Sequence, residues 1–203
     1  MTHSKNNLGF TVVELLIAIS LAAVLSLVAI GFFSSSFNNY IKLSKDSTNL
    51  SEVASQTQRI ARVLRGLTDI SDASSPNEIT VYAYFSPVDT YVSQVRYYKN
   101  AAGTVLYADV TPMTANPPIG TLITANKKTF TIISTFYTVS GTNLFTYLDA
   151  AGNALTNPVI DQHTIKGIRI NLAVPTIVGK ANPNNSYTTT SLQVSLRNRK
   201  TNL

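Results

Sequence analysis

Residues 10–33 (FTVVELLIAISLAAVLSLVAIGFF) are 24 consecutive positions with a single charge, Glu14, and no proline. A helix of that length and apolarity is long enough to cross a bilayer with some tilt. A buried helix of a water-soluble domain is rarely so long and so evenly apolar. The short segment before it carries Lys5, and the first charge after it is Lys42. The natural orientation leaves the N-terminal end in the cytoplasm and sends the bulk of the chain across. A secretory signal peptide is the competing reading. It fits badly, because the run exceeds a signal core, an acid stands four residues into it, and a cut at Ala22-Ala23 would halve a strong helix.

Composition agrees with a chain that partly leaves water. Of its 203 residues 44% are hydrophobic and only 13% charged, against about 25% charged in an average soluble domain. Disorder is excluded, and the length suits one domain plus an appendage rather than a two-domain enzyme. The absence of cysteine removes disulfides, thiolate chemistry and cysteine metal sites. The formal charge is +6, and the C-terminal part is basic: the last acid is Asp161, after which come Lys166, Arg169, Lys180, Arg197, Arg199 and Lys200. Yet the sixteen basic residues are spread over the whole chain, so the sequence gives no support to nucleic acid as a partner.

Glu14 is the informative residue of the apolar run. A carboxylate deep in lipid costs several kcal/mol and wants a cationic partner, which the rest of the segment does not supply. The free amine made by a cut just before Phe10 would supply one, in its own chain or in a neighbour. The unpaired N–H groups of the helix N-terminus also favour the carboxylate.

Gly9-Phe10-Thr11-Val12-Val13-Glu14, followed by Leu15-Leu16-Ile17-Ala18-Ile19, resembles the class III signal of type IV pilins and type II secretion pseudopilins. The resemblance implies cleavage between Gly9 and Phe10 by a membrane-bound prepilin peptidase on the cytoplasmic side, and N-methylation of the new Phe10 amine. It also implies that Glu14 guides subunit assembly by meeting the Phe10 amine of a neighbouring pilin or pseudopilin. The implied partners are an inner-membrane assembly platform with a cytoplasmic ATPase, and the lipid bilayer before assembly. Two departures bear on position in a filament. Gly31 stands where major pilins usually have a proline near the middle of the run, and the glutamate is often absent from subunits at the extreme tip of a pseudopilus.

Beyond the apolar run, Leu43, Leu50, Val53, Thr57, Ile60, Leu64 and Leu67 recur at three- and four-residue spacing with no proline before Pro76. The helix is expected to continue to about residue 67 and to lay this stripe on a sheet. Arg59, Arg62 and Arg65 are then expected to flank the stripe with only their stems buried, although they also resemble a basic ridge. After Gly66 the texture turns to Thr, Tyr, Val and Ile. Strands are expected over 78–85, with Ile79, Val81, Ala83 and Phe85 on one face, and over 91–98 and 104–109 as a hairpin. Others are expected over 129–137, 143–148, 165–173 and 188–197, with a turn at 149–153 and loops at 112–126 and 175–186.

The expected architecture is α+β and pilin-like: a leader 1–9, a transmembrane and filament-core helix 10–33, its amphipathic continuation 34–67, and a β-rich domain 68–203 on a mostly antiparallel sheet. Looser likenesses at RIARVLRGLTDI (59–70), Ile165-Lys166-Gly167-Ile168 and Ser195-Leu196-Arg197-Asn198 are most similar to J-type minor pseudopilins and W-type minor pilins.

No catalytic, cofactor or metal residue is expected. Asp161 and His163 invite a serine triad on paper, but they stand two residues apart in a polar stretch without a nucleophile motif, which suits a surface turn. Asp149 and Asp161 match no calcium loop. The tyrosines at 82, 84, 97, 98 and 107 suit cross-strand packing. The resulting expectation is a non-enzymatic filament subunit anchored once in the inner membrane, with its C-terminal domain outside the cytoplasm until it enters a pilus or pseudopilus. The alternative is a tip or surface subunit that captures DNA, a host surface or a secreted substrate.

Overall fold

The computed structural model describes residues 11–71, 74–134, 141–175 and 187–197. The chain is α+β, one long N-terminal helix followed by antiparallel sheets. It divides into two compact units, Met1–Ser44 and Lys45–Leu203. The helix α1, Val12–Arg65, belongs to both.

In the first unit every described side chain is exposed, including Val12, Leu21, Val28 and Phe33. Its two mid-segment hydroxyls are satisfied locally: Ser20 and Ser26 donate to the carbonyls of Leu16 and Ala22, at 2.8 and 2.7 Å. A helix that closes all its own polar groups is the form a chain needs inside hydrocarbon. Among the described residues α1 is the one helix long and apolar enough to cross a membrane.

In the second unit α1 buries Val53, Thr57, Ile60, Ala61, Val63 and Leu64, the three- and four-residue spacing of one helical face. Thr57 stays buried without loss because its hydroxyl donates to the Val53 carbonyl at 2.7 Å. Leu43 was expected in the same stripe but is 58% exposed. The helical period continues there, but Leu43 falls in the first unit, outside the core. Arg62 and Arg65 occupy the last turn of α1, where positive charge suits the carbonyl end of the helix dipole.

The first sheet is a five-stranded antiparallel meander, β1 (Asp69–Ile70), β2 (Glu78–Ala83), β3 (Ser93–Lys99), β4 (Leu106–Pro112) and β5 (Lys128–Ile133), in that spatial order. Its register aligns Val81 with Val95 and Val95 with Val110 on the core face. The β3–β4 hairpin turns where Asn100 accepts from Thr104 and Val105 N–H through its side chain. Gly103 there adopts φ 68°, the left-handed conformation for which glycine is suited. The second sheet has three strands, β6 (Phe145–Leu148), β7 (Gly167–Pro175) and β8 (Tyr187–Ser195), all antiparallel. The 149–153 turn forms as expected, the Asp149 N–H donating to the Asn153 carbonyl at 3.0 Å. Of the expected strand over 129–137, the part beyond 134 lies outside the described residues, as does the loop at 176–186.

A single expected sheet is thus two. They share one core with α1: Leu64, Leu67, Ile79, Val95, Phe145, Ile168 and Val194 belong to the same buried cluster. The seam is fastened by Tyr147 of β6, whose phenol donates to the Ser75 carbonyl at 2.9 Å, and by the Phe145 N–H donating to the Pro76 carbonyl at 2.9 Å. Burial pushes the Tyr147 phenol well above its ordinary pKa.

The opposite face of the first sheet is polar. Asp109 of β4 accepts from the Thr129 hydroxyl at 2.6 Å and the Tyr98 phenol at 3.3 Å, and pairs with Lys127 at 2.7 Å. Burial raises its carboxyl pKa, but these donors together outweigh burial and hold it below the usual carboxylate range. A depressed folded-state pKa contributes stability that is complete above the unfolded value, about 3.9, and is lost as pH falls through the folded one. Thermal melts should therefore show the difference between the parent and Asp109→Asn largest above about pH 5 and shrinking toward pH 3. A difference that is constant with pH would rule out this role.

Candidate functional site

The helix N-terminus is built by four residues, Thr11-Val12-Val13-Glu14. Thr11 precedes the helix and its hydroxyl oxygen accepts from the Glu14 N–H at 3.3 Å. The Glu14 carboxylate reaches back, accepting from the Thr11 N–H at 2.9 Å and from the Thr11 hydroxyl at 3.1 Å. This is a capping box, in which residues Ncap and N3 satisfy each other's orphan donors. The sequence reading found Glu14 but no partner for it within the segment. The structure supplies two neutral donors from Thr11, and the spacing Thr-x-x-Glu directly before an apolar run is the signal that identifies them.

The box has a chemical consequence. Among the described residues Glu14 is hydrogen-bonded but meets no cation, so its negative charge remains open to an ammonium. Both members lie C-terminal to the Gly9–Phe10 bond, so a cut at that bond leaves the Thr11 amide and the box intact. Gly9 and Phe10 themselves lie outside the described residues.

The remaining sequence candidates resolve into local structure. Asp161 caps a short 3-10 turn, Gln162–Thr164, by accepting from the His163 N–H at 2.9 Å, and His163 is exposed. Asp149 spends its carboxylate on the Ala151 and Asn153 N–H groups at 2.9 and 2.8 Å and on the Asn153 amide at 3.1 Å. Among the described residues no three His, Cys, Asp or Glu side chains gather as a metal set would. Tyr97 lies in the core, while Tyr98 and Tyr107 pair across β3 and β4 with ring centroids 5.7 Å apart.

A second feature was not legible in the sequence. Within the Lys45–Leu203 unit, a groove of about 1220 Å³ lies between the last turns of α1, the β2–β3 loop and the outer strand β5. Arg59 and Arg62 form one wall and Lys128 and Phe130 the other. Phe85, expected at the end of β2, falls beyond it. Its ring stacks on Phe130 at 5.3 Å between centroids, and the Arg59 guanidinium sits 5.1 Å from its centre.

Residues 4–30 match the family model described as the prokaryotic N-terminal methylation motif. Comparison with curated proteins returns no match. The matched segment contains Gly9, Phe10, the capping box and most of the exposed apolar run. It supports a pilin or pseudopilin precursor, and with the apolar helix it fits anchoring in the inner membrane.

Proposed function

We propose that this chain is a minor pilin or pseudopilin, a non-enzymatic subunit of a type IV pilus or a type II secretion-like pseudopilus. The observation that carries the reading is the Gly-Phe-Thr-x-x-Glu signal opening an apolar helix whose side chains are exposed from Val12 to Phe33. Such a surface is satisfied by lipid before assembly and by a bundle of like helices afterwards, with the β-rich domain carried outside the bundle. Prepilin peptidase cuts between Gly9 and Phe10, and the Phe10 amine is then methylated. An assembly platform driven by a cytoplasmic ATPase lifts the subunit from the bilayer. The likenesses at 59–70, 165–168 and 195–198 favour a J-type pseudopilin or W-type pilin within that class.

Processing tests the reading directly. Cleavage removes nine residues and leaves 194 of the 203, with an N-methylated phenylalanine at the start. Mass spectrometry of protein from its native membrane should find that N-terminus, and Gly9→Leu should leave only precursor in the membrane. A start at Ala23 or an unprocessed Met1 in the parent would refute the proposal.

A further inference from the structure

We infer that the groove beside β5 binds a single-stranded nucleic acid, with phosphates on Arg59, Arg62 and Lys128 and bases on the exposed rings of Tyr84, Tyr91 and Phe130. This goes beyond the role of filament subunit and does not depend on it.

The fold gathers what the sequence scatters. Register places Phe130 opposite Ala108 and Lys128 opposite Val110, so both side chains of β5 face the same side of the sheet as the core. They are nonetheless exposed, on the edge strand of the sheet. Arg59 and Arg62, one helical turn apart, rim the opposite wall. No carboxylate pairs with Arg59, Arg62 or Lys128 among the described residues. A fourth cation of the lining, Lys127, is held by Asp109. The one acid in the lining, Asp89, turns its carboxylate onto the Ser86 N–H at 2.8 Å. The groove is therefore cationic.

Charge alone would suit any polyanion, and the rings decide among them. Phe130 is 39% exposed, and Tyr84 and Tyr91 each 44%. These rings stand partly open beside the cations of the same groove, where a base can stack on them. Tyr84 is also positioned: its phenol accepts from the Asn116 amide at 3.3 Å, while the Asn116 side-chain oxygen accepts from the Val92 N–H at 2.9 Å. One asparagine thus ties the β2–β3 loop to the β4–β5 loop and fixes the ring. Sequence-tolerant recognition of single strands uses this combination, a cationic track with rings on which bases stack. A duplex hides its base faces, and an acidic peptide has none to offer. At about 1220 Å³ the groove exceeds the usual range of small-molecule pockets, about 300–1,000 Å³, and suits a segment of a chain better than a compact ligand.

The test is fluorescence anisotropy of a labelled 15-mer of deoxythymidylate with the full chain in detergent micelles, across a salt series. Binding should weaken with salt, and the triple variant Arg59→Gln, Arg62→Gln, Lys128→Gln should reduce the slope of log K against log salt by about two, at roughly 0.7 per phosphate lost. Phe130→Leu and, separately, Tyr91→Leu should weaken binding about 5- to 150-fold, the equivalent of one lost base stack, with the slope unchanged. Arg197→Gln, at an exposed position just beyond the end of β8, should bind as the parent does. The inference is overturned if the oligonucleotide does not bind at low salt or if both ring variants bind like the parent. It is likewise overturned if Arg197→Gln weakens binding as much as the triple variant, or if duplex DNA or polyglutamate displaces the 15-mer at equal charge concentration. Cleavage after Gly9 is read independently on the same samples, so failure here and failure of the subunit reading are distinguishable.

Discussion

Glu14→Ala should leave the protein cleaved after Gly9 and resident in the membrane, yet remove it from filaments. If the chain were only anchored, the carboxylate would be a cost in lipid, and the substituted protein should insert at least as well as the parent. The capping box lowers that cost without abolishing it, since Thr11 supplies hydrogen bonds but no positive charge. If the chain is a filament subunit as proposed, the open charge would be met by the Phe10 amine of a neighbour, in apolar surroundings. Removing one member of a buried pair strands the other, at about 3–5 kcal/mol, so the filament share should fall at least a hundredfold. Thr11→Val separates the two contributions. It removes the hydroxyl but keeps the backbone N–H that bonds Glu14, so it should loosen the helix start by about 1 kcal/mol and reduce assembly far less. The measurement is the ratio of processed protein in sheared filaments to that in membranes, at matched expression. An unchanged ratio for Glu14→Ala would mean that Glu14 is not an assembly contact, leaving a processed, membrane-anchored domain.

Periodic features were the legible ones. The run from Val53 to Leu64 announces itself by helical spacing, and all of β2 by the alternation of Ile79, Val81 and Ala83, each of which is fully buried. The β3–β4 hairpin was legible through Lys99-Asn100-Ala101-Ala102-Gly103, because its asparagine and glycine carry the turn. Strand β1 escaped, since two residues have no period to read. The division into two sheets escaped because it lies in which strands pair, and a strand's alternation reads the same in one sheet as in two. At the helix start Glu14 stood out through its charge, whereas Thr11, one uncharged residue among many, was recognisable only as half of a pair. The groove was beyond sequence reading altogether. Arg59 and Phe130 are 71 positions apart, and only the strand order, which leaves β5 at the outside, brings them to facing walls.

Removing the helix stripe should unfold the β-domain, whereas removing the apolar run should not. The buried cluster begins at Val53 and draws every member from the Lys45–Leu203 unit, so a protein starting at Lys45 retains the whole core and should melt cooperatively in water. One starting at Thr68 loses Val53, Ile60, Leu64 and Leu67, each no more than 1% exposed. At about 1.5–3 kcal/mol for each such side chain, the loss is roughly 6–12 kcal/mol. That rivals the whole stability of an ordinary domain, about 5–15 kcal/mol. The shorter protein also uncovers the inner faces of Val81, Val95 and Ile168, an apolar surface that should drive aggregation. A single substitution gives the same answer in graded form: Leu64→Ala in the Lys45–Leu203 protein should cost about 2–5 kcal/mol, a fall in Tm of roughly 4–20 °C at this size. Leu43→Ala in the full chain, at a 58% exposed position, should leave the melt of the β-domain within about 0.5 kcal/mol of the parent. Circular dichroism melts with light scattering decide the matter. Equal cooperative unfolding of the proteins starting at Lys45 and at Thr68 would show that the sheets hold together without the helix, and that the stripe of α1 is not the layer that closes this core.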